Sequence, residues 1–134
     1  MMRSSRNVFH LAIPTKNLDE SLDFYTNKLG CKLARRYADR ITLNFFGDQV
    51  VCHLNPRGIT RKPSLYPRHF GITFRDLKEF NLTLNRAKQK KAKFFKKPFV
   101  RFKGKREEHR TFFLLDPSNN VLEFKYYFDA KMMY

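Results

Sequence analysis

Apolar residues recur along the chain in two periodic patterns, strand-like and helix-like, and these patterns alternate in the same order twice. The first half predicts one strand, one helix and three further strands, over 8–13, 18–29, 31–37, 41–46 and 49–55. Gly30 stands where a helix end belongs, and Gly47-Asp48 predicts a tight hairpin turn. The first half is therefore predicted to be a β-α-β-β-β module.

The second half repeats this order. It predicts a strand, a helix, a short strand, a long basic loop and a hairpin, over 68–74, 77–87, 92–96, 98–108, 111–115 and 121–127. The segment His10-Leu11-Ala12-Ile13 reappears as His69-Phe70-Gly71-Ile72, fifty-nine residues later. In both copies the strand leads to a helix start with a capping side chain, Asn17 in the first and Asp76 in the second. The repeat predicts a pseudo-symmetric fold.

The length of the chain, 134 residues, suits one α+β domain with one continuous core. We expect module one over 7–56, a proline-containing linker over 57–66 and module two over 67–128. No apolar run approaches the roughly 20 residues of a spanning helix, and the first residues are polar, so neither export nor membrane insertion is indicated. Cys31 and Cys52 lack the paired spacing of a zinc or redox motif, which predicts reduced thiols and a cytoplasmic location.

The net charge of +16 is concentrated between residues 86 and 106, where eleven Lys or Arg residues occur without an acid and alternate with phenylalanines. Basic residues mixed with aromatics are typical of a groove for single-stranded nucleic acid, in which bases stack and phosphates pair. A solvated surface explains the same run, and no recognisable nucleic-acid-binding motif accompanies it. We therefore disfavour nucleic acid as a partner and prefer a basic mouth that attracts a small anionic substrate.

Four strands each place a potential metal ligand on the face opposite their more apolar side: His10, His53, His69 and Glu123. Equivalent histidines of a repeat can converge across the axis that relates the copies, so we expect the imidazoles of His10 and His69 to approach each other. Two histidines and one carboxylate suit Fe(II), and four such ligands suit Ni(II), Zn(II) or Mn(II). A strand histidine can equally be structural, and His53 stays open between the two roles. His109 is a candidate acid/base residue, with a surface role as the alternative.

Three segments together resemble the vicinal oxygen chelate superfamily, which includes glyoxalase I, extradiol dioxygenases and bleomycin-resistance proteins. They are the helix end Phe24-Tyr25-Thr26-Asn27-Lys28-Leu29-Gly30, the strand 69–74, and the hairpin 116–124 with its Asp-Pro and Asn-Asn-Val-Leu-Glu sequence. The resemblance implies two βαβββ modules whose mixed sheets curl into a central cleft. It also implies a metal held by His10, His69, Glu123 and a residue of the fourth strand. That residue is His53 here, where the glyoxalase pattern would place Glu.

The resemblance implies a metal-dependent enzyme whose substrate is a small molecule with two adjacent oxygens. We expect a ring-cleaving, extradiol dioxygenase-like oxidoreductase with a divalent metal ion, Fe(II) first and Ni(II), Zn(II) or Mn(II) as alternatives. A glyoxalase-like lyase or isomerase is the second reading, in which Glu123 leaves the metal to act as the base. A non-enzymatic basic module that binds small molecules or nucleic acid is the alternative of a different class. A homodimer is also expected.

Overall fold

Eight strands form two four-stranded sheets in the computed structural model, which describes residues 3–134. The strands of the first sheet are β1 (His10–Thr15), β2 (Lys32–Arg36), β3 (Arg40–Phe45) and β4 (Asp48–Leu54). Those of the second are β5 (Phe70–Phe74), β6 (Lys93–Arg101), β7 (His109–Leu115) and β8 (Val121–Tyr127). The sheet orders are β1-β4-β3-β2 and β5-β8-β7-β6, with β1/β4 and β5/β8 parallel and the other pairs antiparallel. The α+β fold with two equivalent modules is therefore confirmed.

One helix follows the first strand of each module. Helix α1 (Leu18–Leu22) continues as a π-helix over Asp23–Lys28, and α2 spans Leu77–Gln89. The prediction of one regular α-helix over 18–29 was wrong for its second half. There the Thr26 hydroxyl donates to the Leu22 carbonyl at 2.6 Å, which is the acceptor that the α-helical ladder would use. Among residues 3–134, no helix is both long and apolar enough to cross a membrane.

Two prolines lie inside strands that the sequence predicted to end there. Strand β1 includes Pro14, and β6 runs through Pro98 to Arg101, so the first four residues of the predicted loop 98–108 are strand. Both are edge strands, where a missing N–H is tolerated, and the register of β6 also shifts between Lys96 and Phe99. The first hairpin turns at Phe46-Gly47, which have φ of 52° and 94°, and not at Gly47-Asp48.

The hydrophobic core lies between the two sheets and is shared by both modules. Phe46 of the first module packs its ring 5.5 Å from Phe74 and 6.1 Å from Phe124 of the second, and Phe45 packs 5.6 Å from Phe70. Both helices contribute to the same cluster through buried side chains such as Leu18, Phe24, Phe80 and Leu84. The helix-covered sides of the two modules therefore pack against each other.

A buried carboxylate joins the modules beside this core. Asp116 accepts hydrogen bonds from the Tyr25 hydroxyl at 2.7 Å, from the Asn120 side chain at 2.8 Å and from two backbone N–H groups. Burial raises the pKa of Asp116 above its ordinary value, and these donors partly offset that rise. Burial also raises the pKa of Tyr25, which keeps its hydroxyl protonated as a donor. The predicted hairpin 116–120 thus acts as a polar clamp on the first module.

We predict that Asp116→Asn lowers the free energy of unfolding by about 1–3 kcal/mol, because the amide has one acceptor oxygen and its NH2 group cannot accept the hydrogen bonds made to the other. The measurement is chemical denaturation of the variant beside Asp39→Asn, whose side chain is 70% exposed.

The pH dependence tests the same residue. A carboxyl whose pKa is raised in the fold favours the folded state when protonated, so wild-type stability relative to Asp116→Asn should fall as pH rises from 3.8 through the raised pKa. An unchanged difference across this range would contradict the assignment.

Candidate metal centre

The predicted ligands lie on the sheet faces that point away from the shared core. In β4 the core side chains are Val50 and Cys52, so His53 is on the opposite face, as is His10 in β1. In β8 the core side chains are Leu122 and Phe124, so Glu123 is on the outer face. Because the core separates the two outer faces, the predicted ligands of the first sheet and those of the second do not face each other. We call these two groups of predicted ligands the half-sites.

The half-site on the second sheet is built around Glu123. This carboxylate is only 7% exposed, and its Oε2 accepts a hydrogen bond from the Thr111 hydroxyl at 2.9 Å. Its Oε1 lies 3.5 Å from Nε2 of His69 and 3.6 Å from Nζ of Lys125. The strand alternation that the sequence predicted therefore brings one histidine and one carboxylate together.

The ring of His69 is oriented by a backbone carbonyl. Its Nδ1 lies 2.6 Å from the Leu65 carbonyl oxygen, which can only accept, so Nδ1 carries a proton. In the neutral ring, Nε2 then presents a lone pair toward Glu123. The ring is held laterally by Phe113 and Tyr66, with centroids 5.7 and 5.9 Å away. Histidines that bind metals are usually arranged in this way: one ring nitrogen donates a hydrogen bond that fixes the ring, and the other nitrogen is free to bind the ion.

His10, on the first sheet, is also fixed through its Nδ1 atom. Its Nδ1 lies 2.6 Å from Oε1 of Gln49, the residue paired with it across β1 and β4. The side chain is exposed, and Nδ1–H donation to the amide oxygen leaves Nε2 free toward solvent. His10 and His69 are therefore equivalent both in the repeat and in the tautomer that their hydrogen bonds select.

Strand register identifies the counterpart of Glu123 in the first module. Gly71 pairs with Glu123, and Ala12, which corresponds to Gly71 in the repeat, pairs with Val51. The position equivalent to Glu123 therefore holds Val51. His53 lies two residues further along β4 and is equivalent in register to Lys125, and its role as a fourth ligand stays a prediction.

The four predicted ligands do not gather within one chain. In the described residues, no three His, Cys, Asp or Glu side chains form a group able to hold a metal ion. The expected approach of His10 to His69 inside one chain is not observed, because the modules pack through their helix-covered sides. The role of these residues as ligands stays a prediction.

His109 lies away from Glu123 on the same sheet. It pairs with Tyr127, whereas Phe113 pairs with Glu123, a separation of four residues or about 13 Å along the strand. Its buried ring packs 4.6 Å from that of Tyr127, and its Nδ1 lies 2.9 Å from the Glu107 carbonyl oxygen. These contacts give His109 a structural role in β7, while the predicted acid/base role stays untested.

Sequence reasoning missed Thr111 as a hydrogen-bond partner of Glu123, whereas strand alternation placed Lys125 on the same face. The two cysteines, which the sequence predicted to be reduced, are free thiols. Burial raises the pKa of Cys31 and of Cys52 to about 12, so both thiols stay protonated near neutral pH and neither is an activated nucleophile.

A cleft of about 690 Å³ opens beside His69. The exposed edge of β1, the segment between Gly58 and Pro67, and the turn at Asn119-Asn120 line it. The cleft is large enough for a small organic molecule, which gives access to the imidazole from one side.

Two equivalent βαβββ modules, each with a histidine at or directly before its first strand, define the class of this fold. The family model for the "Glyoxalase/Bleomycin resistance protein/Dioxygenase superfamily" matches residues 7–124. The chain belongs to this superfamily, which confirms the resemblance to the vicinal oxygen chelate proteins.

Solved structures show the same fold. A glyoxalase/bleomycin resistance protein/dioxygenase from Alicyclobacillus acidocaldarius is 64% identical, covers 99% of this chain and 100% of its own, and has a TM-score of 0.95. A lactoylglutathione lyase from Agrobacterium tumefaciens is 15% identical, with 90% and 93% coverage and a TM-score of 0.67. A mutant of the fosfomycin resistance protein FosX from Listeria monocytogenes, complexed with Mn(II) and 1S,2S-dihydroxypropylphosphonic acid, is 14% identical, with 89% and 88% coverage and a TM-score of 0.69. No match was found among curated proteins.

We predict that Gly71→Ala distorts this half-site, because an added methyl group would collide with the backbone of Glu123. The expected loss is about 1–3 kcal/mol of unfolding free energy, typical of overpacking. Thermal melting measures it, with Ala12→Gly at the equivalent position of module one as the control. A melting temperature equal to that of the wild type would contradict the close approach of β5 and β8.

Proposed function

We propose that this protein is a metal-dependent enzyme of the vicinal oxygen chelate type, acting on a small substrate with two adjacent oxygens. The observation that carries the proposal is the pair of His69 and Glu123. Two lone-pair donors, the imidazole of His69 at the surface and the buried carboxylate of Glu123, face each other across 3.5 Å. Such an arrangement requires a proton or a cation between the two atoms.

A divalent cation fits this donor set. Ligand atoms that are each about 2.0–2.2 Å from a metal lie roughly 3–3.5 Å apart at the usual angles, which the His69–Glu123 spacing matches. Imidazole nitrogen with carboxylate oxygen suits Fe, Mn, Ni and Zn ions alike. The Thr111 hydroxyl and the Leu65 carbonyl would hold the two ligands in place by the hydrogen bonds described above.

We further propose that the third ligand is His10 of a second copy of the chain. His10 is exposed and oriented through Gln49, and Val8 and Phe9 beside it are each 57% exposed. Exposed apolar residues next to an unpartnered sheet edge favour an interface with another copy. A homodimer of this kind would join the half-sites of two chains and would contain two equivalent centres.

Three ligands favour dioxygenase-like over glyoxalase-like chemistry. The register equivalent of Glu123 is Val51, which cannot ligate a metal, so a composite site would hold two histidines and one carboxylate. That set suits non-haem Fe(II) with open positions for substrate and O2. When bound, the cation supplies Lewis-acid polarisation of two neighbouring substrate oxygens. A glyoxalase-like lyase needs another ligand and is the second candidate.

Three further features of the chain would serve the reaction. The burial of Glu123 keeps water away from its carboxylate oxygens, and the hydrogen bond from Thr111 keeps the carboxylate in one orientation. The cleft beside His69 admits the substrate. A non-enzymatic binding module would not need an oriented histidine opposite a buried carboxylate. We also propose that the enzyme works in the reducing cytoplasm, because Cys31 and Cys52 are buried free thiols.

We predict that Glu123→Gln lowers affinity for Fe(II) and Mn(II) by orders of magnitude, because the amide loses the anionic oxygen. His53→Ala, at an exposed position of β4 in the first sheet, should retain full metal content. Elemental analysis after metal loading and removal of excess ion measures both variants, and O2 uptake with catechols and a methylglyoxal–glutathione assay compare the two reactions. Equal metal loss in both variants would favour a four-ligand site instead.

The composite site has a sharper test. His10→Ala and His69→Ala should each lose the metal, whereas co-expression of the two variants should restore about a quarter of the sites. Half of randomly assorted dimers carry both variants, and one of their two sites is then unaltered. No recovery of metal in the mixed sample, with dimers present by light scattering, would refute the shared site.

A further inference from the structure

We infer that Lys125 and Arg101 form a subsite for the oxyanion head group of the substrate, a phosphonate, phosphate or carboxylate. The inference rests on the proposed function, since it assigns a substrate class to the same site. The subsite lies on the outer face of the second sheet, which we call the Glu123 face and define by Thr111, Phe113, Glu123, Lys125 and the side chains in register with them.

Lys125 is the cation nearest to the proposed ligand. Its Nζ lies 3.6 Å from Oε1 of Glu123 and 3.5 Å from the Tyr127 hydroxyl, and its side chain is 28% exposed. The ammonium group has three donors, so these two contacts leave donor capacity for a bound molecule. A molecule bound at His69 and Glu123 would therefore have a positive hydrogen-bond donor beside it.

A second cation lies on the same face, in the edge strand β6. Arg101 of β6 donates from Nη1 to the Tyr66 hydroxyl at 3.0 Å, and the Tyr66 ring packs 5.9 Å from that of His69. The Arg101–Tyr66 pair thus connects the edge strand to the linker in front of β5 and forms a wall beside His69. A guanidinium group retains further N–H donors after one such bond, and its planar fork suits two oxygens of one anion.

The charge of the Glu123 face favours a negative partner. Strand register and alternation place four cations on this face, Lys93, Lys96, Arg101 and Lys125, with one acidic residue, Glu123. If Glu123 ligates a cation, its charge no longer offsets Lys125, and the face becomes uniformly positive. A substrate with an oxyanion head would supply the missing negative charge, whereas an uncharged catechol or aldehyde would not.

The experiment is calorimetric titration at constant ionic strength with methylphosphonate, inorganic phosphate, acetate and uncharged acetamide. We expect at least one of the three anions to bind and acetamide not to bind. Lys125→Met should weaken anion binding about tenfold or more, as the loss of a charge-assisted hydrogen bond does, while Lys125→Arg should retain most of it. Stronger binding of the two phosphorus anions would identify a phosphonate or phosphate head, and equal or stronger binding of acetate a carboxylate.

Lys93→Met is the matched control, because Lys93 is an exposed cation of the same sheet at the distant end of β6, in register with Leu115. Equal weakening in Lys93→Met and Lys125→Met would show general attraction by the net charge and would overturn the subsite. Binding of acetamide as strong as that of the anions, or no anion binding at all, would also overturn it.

Titrations of Mn(II)-loaded and chelator-treated protein separate this inference from the proposed function. Lys125-dependent anion binding without any metal uptake would support the subsite and refute the metal centre. Metal uptake with no Lys125-dependent anion binding would do the reverse. Thermal melting of each variant confirms that lost binding does not come from unfolding.

Discussion

The packing of the two modules through their helix-covered sides determines the rest of this structure. Phe46 of the first module lies against Phe74 and Phe124 of the second, and the buried Asp116 accepts a hydrogen bond from Tyr25 across the same boundary. Burial of these aromatic side chains makes the largest favourable contribution to the free energy of packing the modules together. The Asp116 carboxylate fixes the relative position of the modules. Because the apolar sides are used for this contact, the opposite faces of both sheets remain available for chemistry, and they point away from each other.

The burial of the Glu123 carboxylate lowers the stability of the fold, and its proposed role is functional. A carboxylate removed from water destabilises the fold unless donors or cations compensate it, and its compensation here is a hydroxyl, an imidazole and an ammonium group. An apolar residue would pack at this place more cheaply, as Val51 does at the equivalent position of the other module. The charge at Glu123, where the other module has the apolar Val51, supports the proposal that the carboxylate binds a cation.

The sequence predicted the elements well because each depends on local rules. Alternation in β8 correctly separated Glu123 from Leu122 and Phe124, and the helix caps at Asn17 and Asp76 follow from side chains that accept backbone N–H groups. The relative placement of the modules could not be predicted, since both faces of the second sheet carry apolar residues and either could have been the shared one. For the same reason the sequence could not predict that His10 and His69 lie apart within one chain, or that His53 is in register with Lys125 and not with Glu123.

The two modules carry different small residues at equivalent positions beside the predicted ligands. Ala12 and Gly71 occupy equivalent positions, each paired in parallel with the residue that is Val51 in one module and Glu123 in the other. At Gly71 a side chain would meet the backbone of Glu123, so β8 approaches β5 closely where the carboxylate must face His69. The first module has an alanine in this place and supplies only a histidine. The two modules thus differ in the groups on their outer faces: the first presents a single imidazole, and the second holds the proposed carboxylate ligand and the cations around it.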